Sequence, residues 1–243
     1  MWSVRFGARV FAPSPALTAL LALLALGFIL LGRWQWRLGE AHAAQYRRFV
    51  HGAARIVTLG SASLASVPDY QRVRVSGTYD GARQFLLDNS IHDVQDGYQV
   101  LTPLLRAPGD TVLVDRGWVP FTGSRARLPD VALAASGPVT VVGRVARLPV
   151  AGLAFGRAAP PPGNRWPKVT SFPRFSELSA ALGRPVEPRI LLLAAAAPDG
   201  YVRVWRPPGM PAMKNWGYAV QWWALAAAAG VIWLVLSLRR PVR

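Results

Sequence analysis

The stretch Lys214-Asn215-Trp216-Gly217-Tyr218-Ala219-Val220-Gln221-Trp222-Trp223 sets one glutamine and four aromatic rings at the mouth of the last long apolar run of the chain. From Trp216 to Leu238 there are 23 residues without a charge, and a second charge-free run of 17 lies at Ala16 to Gly32. About 20 apolar residues cross the roughly 30 Å of a bilayer core, so both runs are read as spanning helices. A polar amide at Gln221 then has no watery side to face and must be explained.

Composition agrees. Of 243 residues, 52% are hydrophobic and 16% are charged, against about 25% charged in an ordinary soluble domain. Arg5 and Arg9 ahead of the first run also suit a cleaved signal peptide. The run ends, however, in Gly32-Arg33-Trp34-Gln35-Trp36-Arg37, where bulky rings stand in place of the small residues of a cleavage site. Trp34 and Trp36 fit interfacial anchors, with Arg33 and Arg37 reaching the headgroups.

Basic residues flank both spans on their outer sides: Arg5 and Arg9 before the first, Arg239, Arg240 and Arg243 after the second. The positive-inside rule then predicts both termini in the cytoplasm. The expected organisation is a basic leader (1–15), transmembrane helix 1 (16–32), an extracytoplasmic domain (33–215), transmembrane helix 2 (216–238) and a basic tail (239–243). Between Arg33 and Lys214 there are 23 Lys and Arg against all 12 acids, a net of +11. Long loops translocate largely regardless of charge, so this excess does not oppose the orientation. It suits anionic lipid or an acidic partner; nucleic acid does not meet an exported domain. The short leader favours a bacterial inner membrane over a mitochondrial one.

There is no cysteine, which removes disulfides and thiolate metal sites. His42, His51 and His92 have no metal-ligand spacing and read as surface residues. No GxSxG, phosphate loop or GxGxxG is present, and Asp88, Asp93 and Asp96 read as turn formers. The chain does not look like an enzyme.

Arg37 to Val50 is rich in helix formers and continues the first helix, weakened by Gly39. From Arg72 the pattern alternates: RVRVSGTYD, QFLLDN, GYQVLTPLL, TVLVDRGWV and PVTVVGRVARLP follow one another between Asp, Asn, Gly and Pro, which predicts antiparallel strands. AAPPPG (158–163) breaks regular structure, Ser171 to Leu182 has helical spacing at Phe175, Leu178 and Leu182, and ILLLAA and YVRVWR return to strand. The fold class is therefore a membrane protein whose two terminal transmembrane helices flank a β-rich α+β extracytoplasmic domain.

Gln35 lies just past the first span and Gln221 just inside the second, so the two are expected to face each other. Small residues at Ala224 and Ala228, or Ala226 and Gly230, offer close-packing faces. Gln221 then serves as interhelical glue, worth about 1 kcal/mol, or as part of a site for a flat amphipathic ligand or another membrane protein. Residue chemistry alone favours the glue.

Leu31-Gly32-Arg33-Trp34-Gln35-Trp36-Arg37, Gly97-Tyr98-Gln99-Val100-Leu101-Thr102-Pro103-Leu104, Val114-Asp115-Arg116-Gly117-Trp118-Val119-Pro120, Asn164-Arg165-Trp166 and Gly217-Tyr218-Ala219-Val220-Gln221-Trp222-Trp223 together resemble the SURF1 family, cytochrome c oxidase assembly factors with two terminal helices. The resemblance implies assembly of a haem–copper oxidase, a partner in its catalytic subunit, and transient handling of haem a. Many relatives carry a histidine where this chain has Asn215, and asparagine is not a usual axial ligand of haem iron. The candidate cofactor or partner contacts are Gln35, Arg37, Tyr218, Gln221 and Trp222. A membrane-anchored basic domain that recruits anionic lipid or an acidic protein is the alternative function.

Overall fold

A computed structural model describes residues 4–6, 9–52, 54–107, 109–134, 137–150, 156–207 and 209–239. Arg240 and Arg243, two of the basic tail residues used for orientation, lie outside the described residues. In chain order the elements are β1 (Val4–Phe6), β2 (Arg9–Phe11), α1 (Pro15–His51), β3 (Ile56–Thr58), β4 (Arg72–Tyr79), β5 (Phe85–His92), β6 (Gln95–Leu105), β7 (Thr111–Pro120), β8 (Pro138–Ala146), β9 (Lys168–Thr170), α2 (Phe175–Leu182), β10 (Val186–Leu193), α3 (Ala212–Ser237) and β11 (Leu238–Arg239). Two units form: Met1–Arg47 with Pro207–Arg243, and Arg48–Arg206.

The first unit is the helix pair. Leucine and alanine, strong helix formers, carry α1 from Pro15 through Gly39 without a break, as expected for the segment after the first apolar run. Both α1 and α3 are long and apolar enough to cross a membrane, and only 6% and 11% of their most apolar windows are buried. At the chain termini β1, β2 and β11 form a small antiparallel sheet, and the Ala12 N–H donates to the Ser237 carbonyl at 2.8 Å.

In the second unit the strands run β3-β4-β8-β10-β7-β6-β5-β9, and β6 also pairs with β4 through Thr78↔Leu105 and Tyr79↔Leu104. That extra pairing closes β4, β8, β10, β7 and β6 into a ring. Alternation along each strand sends one set of side chains inward: Val73 and Val75, Val141 and Val145, Leu191 and Leu193, Val112 and Val114, and Leu104 form one buried cluster. Gly77 permits the closure, since a Cβ there would stand 2.5 Å from the Leu105 carbonyl oxygen. Outside the ring, Leu178 and Leu182 of α2 pack with Phe85, Leu101, Leu113 and Ile190. Gly183, left-handed at φ 69°, ends α2.

The strands expected to pair antiparallel do so: β4 with β8 and β6, β5 with β6, and β6 with β7. The strands outside that group add parallel pairs, β10 to β7, β3 to β4 and β9 to β5. A long connection through β9 and α2 precedes β10, and a crossover of that length is what parallel pairing needs. YVRVWR forms no strand but one isolated bridge, Trp118↔Val202. The segment reaches β7 beside Gly117, where the Tyr201 N–H donates to the Arg116 carbonyl at 2.7 Å, and Arg203 turns its guanidinium onto the Ala194 and Ala197 carbonyls. The turn reading of Asp93 agrees with its place, with Val94, at positive φ between β5 and β6.

Adjacent Asp115 and Arg116 are both buried. Arg116 donates to the Asp199 carbonyl at 2.6 Å, the Val131 carbonyl at 3.0 Å and Gln84 Oε1 at 3.1 Å, so it fastens two loops to β7. Burial pushes the Asp115 carboxyl up to about 7 against the opposing pull of the Gly117 N–H, which donates to it at 3.0 Å. An unfolded Asp ionises at about 4. Between about pH 4 and 7 the folded chain therefore keeps a proton that the unfolded chain releases, and stability falls as pH rises through that window. We expect the thermal midpoint of the detergent-solubilised protein to drop between about pH 5 and 7 and then level off. Asp115→Asn, which keeps the acceptor for Gly117, should flatten that slope. A slope that persists in Asp115→Asn would remove Asp115 as its source.

Candidate functional site on the helix pair

The seam between α1 and α3 is set by residues of unequal size. A Cβ added at Gly32 would stand 2.5 Å from Trp223 Cδ1, and one at Gly39 would stand 2.5 Å from Trp216 Nε1. Each indole thus lies where a side chain on α1 would be. Gly32 and Gly39 are seven residues apart, as are Trp216 and Trp223. Seven residues make two helical turns, so the two contacts repeat along an antiparallel pair. Trp36 packs against both indoles with ring centroids 5.8 Å away, and Phe28 stacks on Trp222 at 5.7 Å. Nearer the chain termini the Trp233 Nε1–H donates to Thr18 Oγ1 at 2.9 Å. Of the small residues expected to serve close packing, Ala224 and Ala228 are exposed and a Cβ on Gly230 would meet open space, while Ala226 is half-buried.

At the other end lies a chain of three polar side chains. Asn215 Nδ2–H donates to Gln35 Oε1 at 2.9 Å, and Asn215 Oδ1 lies 3.0 Å from His42 Nδ1. Asn215 is 3% exposed, so these bonds satisfy an amide that would otherwise be buried without partners. An amide oxygen only accepts, so in this contact His42 Nδ1–H is the donor.

Among the five sequence-predicted residues, the structure brings Gln35 and Trp222 into the seam and leaves the others outside it. Gln35 meets Asn215 rather than Gln221. Gln221 is exposed; six residues from Asn215 is about 120° round the helix. Tyr218, 47% exposed, lies between those directions. Arg37, two residues past Gln35, projects about 160° from it, on the far side of α1. His42, read from sequence as a surface residue, is half-buried against Asn215; Gly39 was read only as a weakening of the helix and Gly32 not as a contact, although the matched seven-residue spacings of glycine and tryptophan were a usable signal.

This antiparallel helix pair at the chain ends, flanking a sheet-rich unit, is the setting for the comparison with known proteins. A model of the SURF1 family matches residues 22–227. The chain belongs to the SURF1 family. No curated protein sequence matches it. The SURF1 family is linked to cytochrome c oxidase assembly, and its members are assembly factors rather than enzymes. The match covers the sheet-rich unit and the seam, from Ala22 to Ala227.

The seam makes a direct prediction. Because the chain has no cysteine, Gln35→Cys with Asn215→Cys should give one intramolecular disulfide on mild oxidation. Adding Gly32→Val should lower the yield several-fold, since overpacking costs about 1–3 kcal/mol. Equal crosslinking with and without Gly32→Val, read on a non-reducing gel, would refute the interlock.

Proposed function

We propose that this SURF1-family protein assists assembly of a haem–copper cytochrome c oxidase by docking the outer face of α3 against a membrane subunit of that enzyme. One observation carries the reading: the seam pairs Gln35, Asn215 and His42 with one another, yet Gln221 and Tyr218 point elsewhere from the same helix as Asn215. Leucine-rich flanks of both helices are exposed, a surface that only lipid or another apolar helix covers. An amide facing that environment is expensive unless a protein partner bonds it. A second transmembrane helix, with its own polar side chain or a free carbonyl, supplies that bond. The proposed setting is a bacterial inner membrane with both termini cytoplasmic and the sheet-rich unit outside, supported by the basic flanks of the two helices.

Deleting the protein should reduce assembled oxidase without altering subunit transcripts. Gln221→Leu should leave protein level and membrane insertion intact, yet lower oxidase content several-fold, for a bond worth about 1 kcal/mol or more. Full oxidase content with Gln221→Leu would remove this face from the mechanism; normal oxidase in the deletion strain would remove the assembly role and favour a basic anchored domain that recruits lipid or an acidic protein.

A finer reading concerns haem a. Indoles fill the seam, so the residues do not fit a macrocycle held between the helices. The rim does offer one conventional axial ligand type: His42 Nε2, near Gly209 and oriented through Nδ1 by Asn215. A hydrogen bond on the far nitrogen is how proteins fix the ligating tautomer. Bound there, haem would be carried as an oxidase cofactor in transit, with His42 holding it and Asn215 and Gln35 holding His42. Titrating haem into the purified protein should give a shifted Soret band that His42→Ala abolishes and Tyr218→Phe retains. A Soret band unchanged in His42→Ala would refute ligation at His42 while leaving the docking face standing.

A further inference from the structure

The sheet-rich unit holds a cleft of about 260 Å³ whose charged side chains are all of one sign. Arg72 of β4, Arg144 of β8 and Leu192 of β10 lie in one row across three strands. Arg203 and the rings of Phe49 and Trp205 complete the walls, and among the described residues no aspartate or glutamate lines them. Arg72 and Arg144 stand directly opposite one another on neighbouring strands. Arg144 is half-buried, its guanidinium 4.1 Å from the centre of the Phe49 ring, with Nη1 donating to the Phe49 carbonyl at 2.8 Å. Arg203 donates to the carbonyls of Tyr201, Ala194 and Ala197. These carbonyls position the guanidinium groups of Arg144 and Arg203 without cancelling their charge. Trp205 is fixed in turn by its Nε1–H, which donates to the Leu193 carbonyl at 2.7 Å. Burial, then the neighbouring Arg72 charge, lowers the proton affinity of Arg144, which agrees with a concentration of positive charge in one place.

We propose that this cleft binds an oxyanion of the phosphate class, borne by a free phosphate or by a lipid headgroup. Arginine suits the role because its planar fork gives paired N–H donors to such oxygens. Size limits the guest: ordinary small-molecule pockets run from about 300 to 1,000 Å³, so this cleft takes a phosphate and its nearest substituent rather than a ring system. The inference is independent of oxidase assembly and of the helix seam.

The test uses the full chain in nonionic detergent at low salt, with calorimetric titration of two probes, inorganic phosphate and dihexanoyl-phosphatidylglycerol. Saturable binding of at least one probe is expected. Arg144→Gln should weaken it about tenfold or more, as loss of a charge-assisted hydrogen bond predicts, while Arg127→Gln, an equal charge change at an exposed loop position, should leave it within about twofold. Arg144 also bonds the Phe49 carbonyl, so Arg72→Gln carries the test should Arg144→Gln fail to fold by circular dichroism. Binding of both probes, or of phosphate alone, assigns the site to free phosphate groups; binding of the lipid probe alone assigns it to headgroups. Absence of saturable binding by either, or an equal loss in Arg127→Gln, overturns the proposal.

Discussion

The helix pair depends on two glycines. Gly32 and Gly39 leave α1 without side chains at two points one heptad apart, and Trp223 and Trp216 occupy the space. In a bilayer, apolar side chains gain little by leaving lipid for protein, so association rests on close packing and on polar contacts between helices. Large rings against bare backbone supply the packing, and the Gln35–Asn215–His42 chain supplies the polar contacts. Together they fix which face of α3 is inner. The outward direction of Gln221 follows from that choice, because a rigid helix that turns Asn215 inward has no freedom left for a residue six positions on.

This explains why sequence alone turns Gln221 toward Gln35 when the fold does not. Spacing of three and four places Asn215, Tyr218, Gln221, Trp222 and Leu225 on one broad face, but spacing alone does not say which edge of that face meets α1. The indoles decide it, being larger than any other group at the contact. Glycine is easily passed over as a mere weakening of a helix, when in fact a glycine opposite a tryptophan on another helix is a packing signal. Asn215 likewise reads as a missing ligand in sequence. In the fold it is the acceptor that turns His42.

In the sheet-rich unit, RVRVSGTYD was legible because its buried and exposed positions alternate, and TVLVDRGWV, buried along almost its whole length, because a short apolar run between turn residues reads as a strand. Ring closure was not legible. It rests on two residue pairs between β4 and β6 and on the missing side chain of Gly77, features without periodicity. Parallel pairing of β10 with β7 was hidden for a different reason: strand direction is set by the path of the long connection before β10, and a strand's own residues look much the same in either direction. YVRVWR alternates as a strand does, yet Arg203 is held by the Ala194 and Ala197 carbonyls of the neighbouring turn.

Net charge was the least specific sequence signal, and the fold shows why. Arg116 is 1% exposed and Arg106 is 5% exposed, and both are spent on carbonyls: Arg116 on Asp199 and Val131, Arg106 on Gly60 and Ala62. A guanidinium presents five donors in a fixed fork, so one arginine can bind several loop carbonyls that have no strand to pair with. A small ring with long loops has many such carbonyls, and arginine is a compact way to satisfy them without cysteine bridges. Arg83, Arg125, Arg147, Arg157 and Arg189 are paired with Asp80, Asp88, Asp69, Glu177 and Asp69 in turn. Arg116 and Arg106 are thus internal fastenings, and the five arginines paired with acids add nothing to the net charge. What separates the cleft at Arg72, Arg144 and Arg203 from the rest is not the number of its charges but their arrangement, gathered around one space whose walls carry no carboxylate among the described residues.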